Sequence, residues 1–378
     1  MKDFIERNKE GLYRTLWELC QIPAPSHFED ERAEYCKSWL EAAGAEGVYI
    51  DSAKNVIYPI GCEGSDKITV FAAHLDTVFP DREPMPYEDD GTYIRCPGVG
   101  DDTSSVVVLL YAAKYFLENG LNTKNGVMIV LNSCEEGLGN LKGTRQLFKD
   151  FEGRIARFIS YDARFSNIAD RCVGSHRYEV EVLTEGGHSY GSFGNRNAIA
   201  ELSKIINEIY SIEVPKIGDS KTTYNVGGIS GGTSINTIAQ SAKMLCEYRS
   251  DSEECLAIMK ARFEEIFDKA RERVLDLKVS LIGERPCMGR VDLSEIERLT
   301  RIAREIIEDA AGVKTVTHSS STDCNIPLSL GIPALCMGVW NGSGAHTREE
   351  WIERASLPIG LEIGIRAIEK IISEVSDK

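Results

Sequence analysis

His74-Leu75-Asp76-Thr77-Val78 closes an apolar run, Ile68-Thr69-Val70-Phe71-Ala72-Ala73, that follows polar Ser65-Asp66-Lys67. The run has the length and the boundaries of a buried strand. On an extended segment, residues two apart fall on the same side, so His74 and Asp76 point together. That suits an imidazole facing a metal ion with a carboxylate steering its ring. A histidine held in the core by ordinary hydrogen bonds is the plainer account of the same pair. The choice turns on whether other strands of this chain end in other metal-ligand side chains.

Two further strands do, and a third segment carries paired aspartates into a helix. Gly98-Val99-Gly100-Asp101-Asp102 opens into an apolar helix pattern over 103–118. The strand pattern 126–131 runs into Asn132-Ser133-Cys134-Glu135-Glu136-Gly137, and the one at 157–160 runs into Tyr161-Asp162. A helix pattern at 141–150 separates these last two. The alternation is that of an α/β domain whose largely parallel, mixed sheet is flanked by helices, a class in which ligands collect at the carboxyl ends of strands. A second imidazole, His346, follows the apolar strand 332–339 in the loop Gly342-Ser343-Gly344-Ala345-His346.

Each group has a plain alternative. Asp101 and Asp102 could cap the following helix, Glu135 and Glu136 could be a solvated pair, Asp162 a loop residue and His346 a surface histidine. Their recurrence after buried strands, where a structural role favours neutral side chains, argues for a shared task. Two histidines with three carboxylates are the donor set for two zinc-like ions that share one bridging carboxylate.

The remaining chain fits around this set. Helices are expected over 3–20 and roughly 28–43, broken at Ile22-Pro23-Ala24-Pro25-Ser26, with Ser26 as a helix cap. The stretch 79–96 reads as a polar surface loop. From about 174 to 286 the order becomes β-α-β-β-α-β, a ferredoxin-like α+β unit inserted as a separate domain. The first domain is then discontinuous, 1–173 and 287–378. After it come a helix from Leu293 to Gly312 and a Ser/Thr-rich loop from His318 to Asp323.

Composition narrows the function. The 378 residues are 42% hydrophobic and 27% charged, as in a soluble globular protein, and the net charge of -16 makes nucleic acid and anionic membrane surfaces poor partners. The eleven cysteines are scattered without a Cys-x-x-Cys pair and read as reduced core thiols. No apolar signal core or membrane-length run stands out, so a cytoplasmic location is expected.

In order and spacing, His74-Leu-Asp-Thr-Val, Gly100-Asp101-Asp102, Glu135-Glu136-Gly137, Tyr161-Asp162 and His346-Thr-Arg-Glu-Glu resemble the M20 family of di-zinc peptidases and deacylases. The resemblance implies two zinc ions per subunit, with manganese or cobalt as substitutes. His74 and Asp162 would hold one ion, Glu136 and His346 the other, and Asp101 would bridge them. Asp76 would orient His74, Glu135 would be the general base, and a cis peptide is implied at Asp101-Asp102. In the inserted domain, Gly186-Gly187-His188-Ser189 resembles the segment that lends a histidine to the partner subunit, so His188 would be an oxyanion donor in a homodimer built through that domain. Asn236 and Arg249 resemble groups that hold a substrate carboxylate, and Asp323 lies in a loop that lines the substrate site in relatives; a surface arginine and a helix-capping loop are the plainer accounts. Thr103-Ser104-Ser105 departs from the Lys and Gly that many relatives carry after the paired aspartates.

The expected activity is hydrolysis of an amide in a small peptide, by the tripeptide aminopeptidase-like branch of the family. An N-acyl amino acid deacylase or a carboxypeptidase is the alternative within the same chemistry. A dimeric binding protein without catalysis is the alternative outside it, and the presence of every ligand and of Glu135 weighs against that.

Overall fold

The Ile68–His74 strand is buried along its whole length and lies inside an eight-stranded sheet. In this computed structural model, which describes residues 1–373, the strands lie in the spatial order Tyr49–Ile50, Val56–Ile60, Gly126–Asn132, Ile68–His74, Ile155–Ser160, Ala334–Met337, Asn167–Cys172, Val316–Ser320. The four central strands, from Gly126–Asn132 to Ala334–Met337, are mutually parallel, and antiparallel neighbours flank them on both sides. Parallel strands covered on both faces have no solvent side to serve, which is why these runs are continuously apolar rather than alternating. The sheet belongs to one of two units, Met1–Cys172 together with the chain from Gly289 onward; the other is Val173–Met288.

The helix Ser105–Asn119 is buried without interruption from Ser105 to Ala113. It packs against the helices Lys2–Cys20 and Ser356–Ser373. The second of these was not among the elements expected from sequence, although Leu357, Leu361, Ile365, Ile368 and Ile372 recur three and four apart and are all buried. Its close approach depends on glycine. A Cβ on Gly360 would stand 1.8 Å from the Val339 carbonyl oxygen, and one on Gly364 would stand 2.7 Å from Val108 Cγ1. The Tyr161 hydroxyl donates to the Gly364 carbonyl at 2.8 Å and so fastens the strand end before Asp162 to this helix.

Three local expectations need correction. Ser26 does not cap a helix: the helix Asp30–Ala42 begins after Glu29 with no side-chain cap, and the Ser26 hydroxyl donates to Asp76 instead. A buried carboxylate gains more from that donor than an exposed helix end, which water can serve. The 79–96 stretch is not wholly loop, because Asp89-Asp90-Gly91 turns Glu88–Asp89 back onto Tyr93–Arg95, and this pair joins Trp351–Glu353 and Gly342–Ser343 in a small sheet. Asp90 Oδ1 accepts from the Thr92 and Tyr93 amides, the usual work of Asp in a turn. The supposed loop from His318 begins in an edge strand, Val316–Ser320, parallel to Asn167–Cys172. Its Ser/Thr content hid it because an edge strand carries little apolar patterning.

The second unit has a four-stranded antiparallel sheet in the order Thr222–Gly231, Ser241–Ser250, Gly174–Leu183, Asp276–Arg285. Strands two, three, one and four of the β-α-β-β-α-β chain order therefore lie side by side, the ferredoxin-like arrangement. Its helices, Ala198–Tyr210 and Glu253–Arg271, are capped by Asn197 and Ser252, and they bury Tyr178, Val180, Met244, Phe263 and Phe267 against the sheet. Two short strands, Gly187–His188 and Thr237–Ile238, pair separately. All eleven cysteines are buried and free. No described helix is long and apolar enough to cross a membrane.

Glu295 in the first turn of the helix Leu293–Ala311 accepts from Arg298 at 2.7 Å and from Arg157 on the Ile155–Ser160 strand at 2.5 Å. Burial opposes its charge, but the two guanidinium groups win and hold its pKa at about 2, below the ordinary 4.5. A depressed folded-state pKa contributes stability above the unfolded value and loses it as pH falls toward the folded one. Glu295→Gln should therefore cost about 1–2 kcal/mol at neutral pH. In denaturant titrations the gap to the parent should narrow as the pH is lowered from about 5 toward 3.

Candidate metal centre

Three strand ends and two loops deliver the ligand-type side chains to one place in the first unit. His74 ends its strand, Glu135 and Glu136 follow the strand Gly126–Asn132, and Asp162 follows Ile155–Ser160. Asp101 lies at a kink within Val99–Ser104, where it and Asp102 leave helical backbone angles and are joined by a cis peptide, and His346 comes from the loop after Gly342–Ser343. His74, Asp102, Glu135 and Glu136 are buried, while the His346 side chain is 56% exposed and forms the open side.

Asp101 stands between two histidines. Its Oδ1 is 3.0 Å from His74 Nε2 and its Oδ2 is 3.1 Å from His346 Nε2. On the first side Asp162 Oδ1 is 3.9 Å from the same His74 nitrogen; on the second, Glu136 Oε1 is 3.1 Å from His346 Nε2. The result is two donor sets, His74 with Asp162 and His346 with Glu136, joined through the two oxygens of one carboxylate. Ligand-type atoms within 4.8 Å of one another also include those of His74, Glu135 and Glu136, and of His74, Asp102 and Asp162.

The electrostatics of these groups identify what fits. Asp101, Asp102, Glu135, Glu136 and Asp162 place five carboxylates beside two imidazoles. Burial first, and neighbouring carboxylates after it, push Asp162 well above the usual carboxylate range and Glu136 up to about 7. Hydrogen bonds to Asp101 and Glu136 raise His346 to about 10; at His74 burial opposes the charged ring, but Asp101 and Asp76 outweigh it and raise its pKa. Buried negative charge in such excess is stabilised by cations, and mixed imidazole and carboxylate donors suit zinc-like divalent ions.

The groups behind the ligands were only partly foreseen. His74 Nδ1 bonds the Asp76 backbone oxygen at 2.9 Å, and the Asp76 carboxylate stands 3.5 Å away. That carboxylate is occupied mainly in accepting from the Glu135 and Glu136 amides, each at 2.9 Å, and from Ser26 Oγ at 2.6 Å. Sequence reading assigned Asp76 the ring and missed the glutamates. It also gave no task to Glu350, which is fully buried and accepts from the backbone amides of Gly98, Gly100 and Asp101. The only signal was a charged residue four places after His346.

Asp323, expected to line the substrate site, is instead 1% exposed, and its oxygens accept from Asn132 Nδ2 and Thr144 Oγ1. Burial takes it away from any ligand and, with the Glu135 charge, pushes its pKa up to about 7. His188, Asn236 and Arg249 lie in the second unit. The backbone joins the first two, since the Ser189 amide donates to the Asn236 carbonyl at 2.9 Å. His188 is exposed and its Nδ1 accepts from the Tyr190 and Gly191 amides, at 3.3 and 3.2 Å, so Nε2 carries the proton of the neutral ring. Arg249 is held by Glu247 at 2.8 Å.

Comparison with known proteins gives concordant results. The family described as Peptidase family M20/M25/M40 matches residues 70–370. The succinyl-diaminopimelate desuccinylase of Corynebacterium glutamicum is 24% identical over 343 residues, 88% of this chain and 89% of that protein. A tripeptidase from Staphylococcus aureus shares the fold with a TM-score of 0.76 at 20% identity, over 97% of this chain and 99% of the other. The YXEP protein of Bacillus subtilis, a dinuclear metal binding peptidase, does so with a TM-score of 0.66 at 15% identity, over 99% of each.

The geometry makes Asp101 the one carboxylate common to both donor sets. Asp101→Ala should lose both divalent ions together, from about two equivalents per chain to almost none, as read by elemental analysis after gel filtration. Retention of both ions would show that Asp101 bridges nothing.

Proposed function

Because this chain belongs to peptidase family M20/M25/M40, we propose that it is a two-metal hydrolase that cleaves an amide in a small peptide, with water as nucleophile and Glu135 as general base. The observation that carries this reading is the placement of Asp101 between His74 and His346, each imidazole with its own second carboxylate. His74 and Asp162 would hold one ion, Glu136 and His346 the other, with zinc as the expected metal. Bound there, the ions lower the pKa of water and polarise a carbonyl.

The chain's own groups do the rest. Glu136 faces His346, and Glu135, its neighbour in sequence, would take the proton of the attacking water and return it to the leaving amine. The Asp76 carboxylate holds both glutamate amides and so fixes the backbone from which the pair projects. His188, with its proton on Nε2, would donate to the oxyanion, and Asn236 and Arg249 would receive a substrate carboxylate, Arg249 after exchanging Glu247 for it. In this reading the first unit is catalytic, and the second is a lid through which two chains pair as a homodimer.

The desuccinylase relative favours a second reading, removal of an acyl group from an amino acid, by the same apparatus. Assays of tripeptides, dipeptides and N-acetyl or N-succinyl amino acids with the zinc-loaded enzyme separate the two. Glu135→Gln should keep the metals and lower turnover by about two orders of magnitude or more. Near-normal turnover in the metal-replete variant would remove Glu135 from the role. His188→Ala should also keep the metals and lose about two to three orders of magnitude. If His188 serves a partner's site, mixing the two inactive variants under proven subunit exchange should restore part of the activity, because one site of the mixed dimer is intact.

A further inference from the structure

Six described residues other than glycine have a left-handed backbone, and three of them meet at one buried carboxylate. They are His27 (φ 75), Lys54 (φ 76) and Cys134 (φ 58); the carboxylate is Glu29, which is 0% exposed. Its Oε1 accepts from the Cys134 amide at 3.1 Å, from the Cys134 thiol at 3.2 Å and from the His27 amide at 2.8 Å. Lys54 Nζ stands 3.8 Å from Oε2 and donates to the His27 carbonyl at 2.5 Å and to Asp30 at 2.6 Å. The His27 ring completes the contact, its Nδ1 lying 3.4 Å from Cys134 Sγ.

Cys134 is where the chain leaves the strand Gly126–Asn132 and turns toward Glu135 and Glu136. Its two chain neighbours are held independently: the Ser133 amide and hydroxyl bond Asn55 and Ala53, and the Glu135 amide bonds Asp76. A side chain with a Cβ adopts left-handed φ reluctantly, and such residues persist where surrounding groups over-determine them. At Cys134 the groups that do so are Glu29, through both amide and thiol, and the Leu141 amide, which donates to the Cys134 carbonyl at 2.9 Å. The thiol donates to Glu29 Oε1 and so adds a side-chain anchor to the amide one.

We propose that Glu29 is a positioning residue for the general base: by clamping the left-handed turn at Cys134 it sets the direction in which Glu135 leaves the strand. The proposal rests on the assignment of Glu135 as base but acts on the backbone, so it has a readout that does not depend on that assignment.

The test uses the full-length, zinc-loaded protein. Glu29→Ala should raise amide hydrogen exchange in peptides spanning 132–141 and leave the rest of the first unit protected. With the best substrate of the panel it should lower kcat about a hundredfold at little change in KM and with both metal equivalents kept, as a misdirected catalytic group does. Glu29→Gln retains an acceptor oxygen at the same reach and should recover most of both effects. Adding Cys134→Gly to Glu29→Ala should recover about tenfold in kcat, because glycine takes left-handed φ without a clamp. The proposal is overturned if exchange at 132–141 is unchanged, or if it rises across the whole unit. It is equally overturned if Glu29→Gln is as impaired as Glu29→Ala. Should Glu29→Ala fail to fold, the comparison of Glu29→Gln with Glu29→Leu decides in the same way. A Glu135→Gln enzyme of normal turnover sinks the base assignment and leaves the exchange result standing on its own.

Discussion

The Asp76 carboxylate is the interaction on which the rest of the first unit's site depends. It receives the Ser26 hydroxyl and the amides of Glu135 and Glu136, and its own backbone oxygen takes His74 Nδ1. One residue thus joins the Ile68–His74 strand end, the turn after Gly126–Asn132 and the break between the first two helices. A carboxylate in a dry site is stabilised by donors, and backbone amides are the donors that cannot swing away. Burial opposes its charge, but the His74 ring first, and then Ser26 and the Glu136 amide, outweigh it and leave the Asp76 pKa below its ordinary value. The fully charged carboxylate then dictates where the glutamate backbone runs.

The same device recurs at Glu350 and Glu29. Glu350 takes the amides of Gly98, Gly100 and Asp101 from a segment 252, 250 and 249 residues away in sequence. Gly100 lets this happen, since a Cβ there would stand 2.7 Å from the Trp340 ring and 3.0 Å from Glu350 Oε1. The turn that carries Glu135 and Glu136 and the segment that carries Asp101 are thus each held through backbone amides by buried carboxylates. Backbone amides fixed in this way define where the side chains of their residues start.

The second unit follows other rules. Its sheet alternates along Gly174–Leu183, with Tyr178, Val180 and Val182 buried against the helices. His188 is set by backbone amides alone, on a two-residue strand, with Tyr190, Phe193 and Ile235 of the neighbouring loops 89%, 91% and 102% exposed. A donor on such a mount is oriented locally by Nδ1 and presented outward by Nε2.

The sequence by itself determined the class of the first unit, the position of the insertion and the residue types at its strand ends. These are local properties: continuous apolar runs mark strands covered on both faces, and a charged or imidazole side chain directly after such a run is visible without knowing what lies beside it. It also held signals that the reading passed over, in the Asp-Asp-Gly turn after Glu88 and the apolar spacing of the last helix. Tertiary structure alone decided that Asp101 lies between His74 and His346, that Asp76 serves the glutamates more than the ring, and that Asp323 is sealed behind Asn132 and Thr144. Glu29 and Glu350 were illegible for the same reason. A buried carboxylate and an exposed one read alike in sequence, and the Cys134 amide on Glu29 and the Gly98 amide on Glu350 lie 105 and 252 residues along the chain.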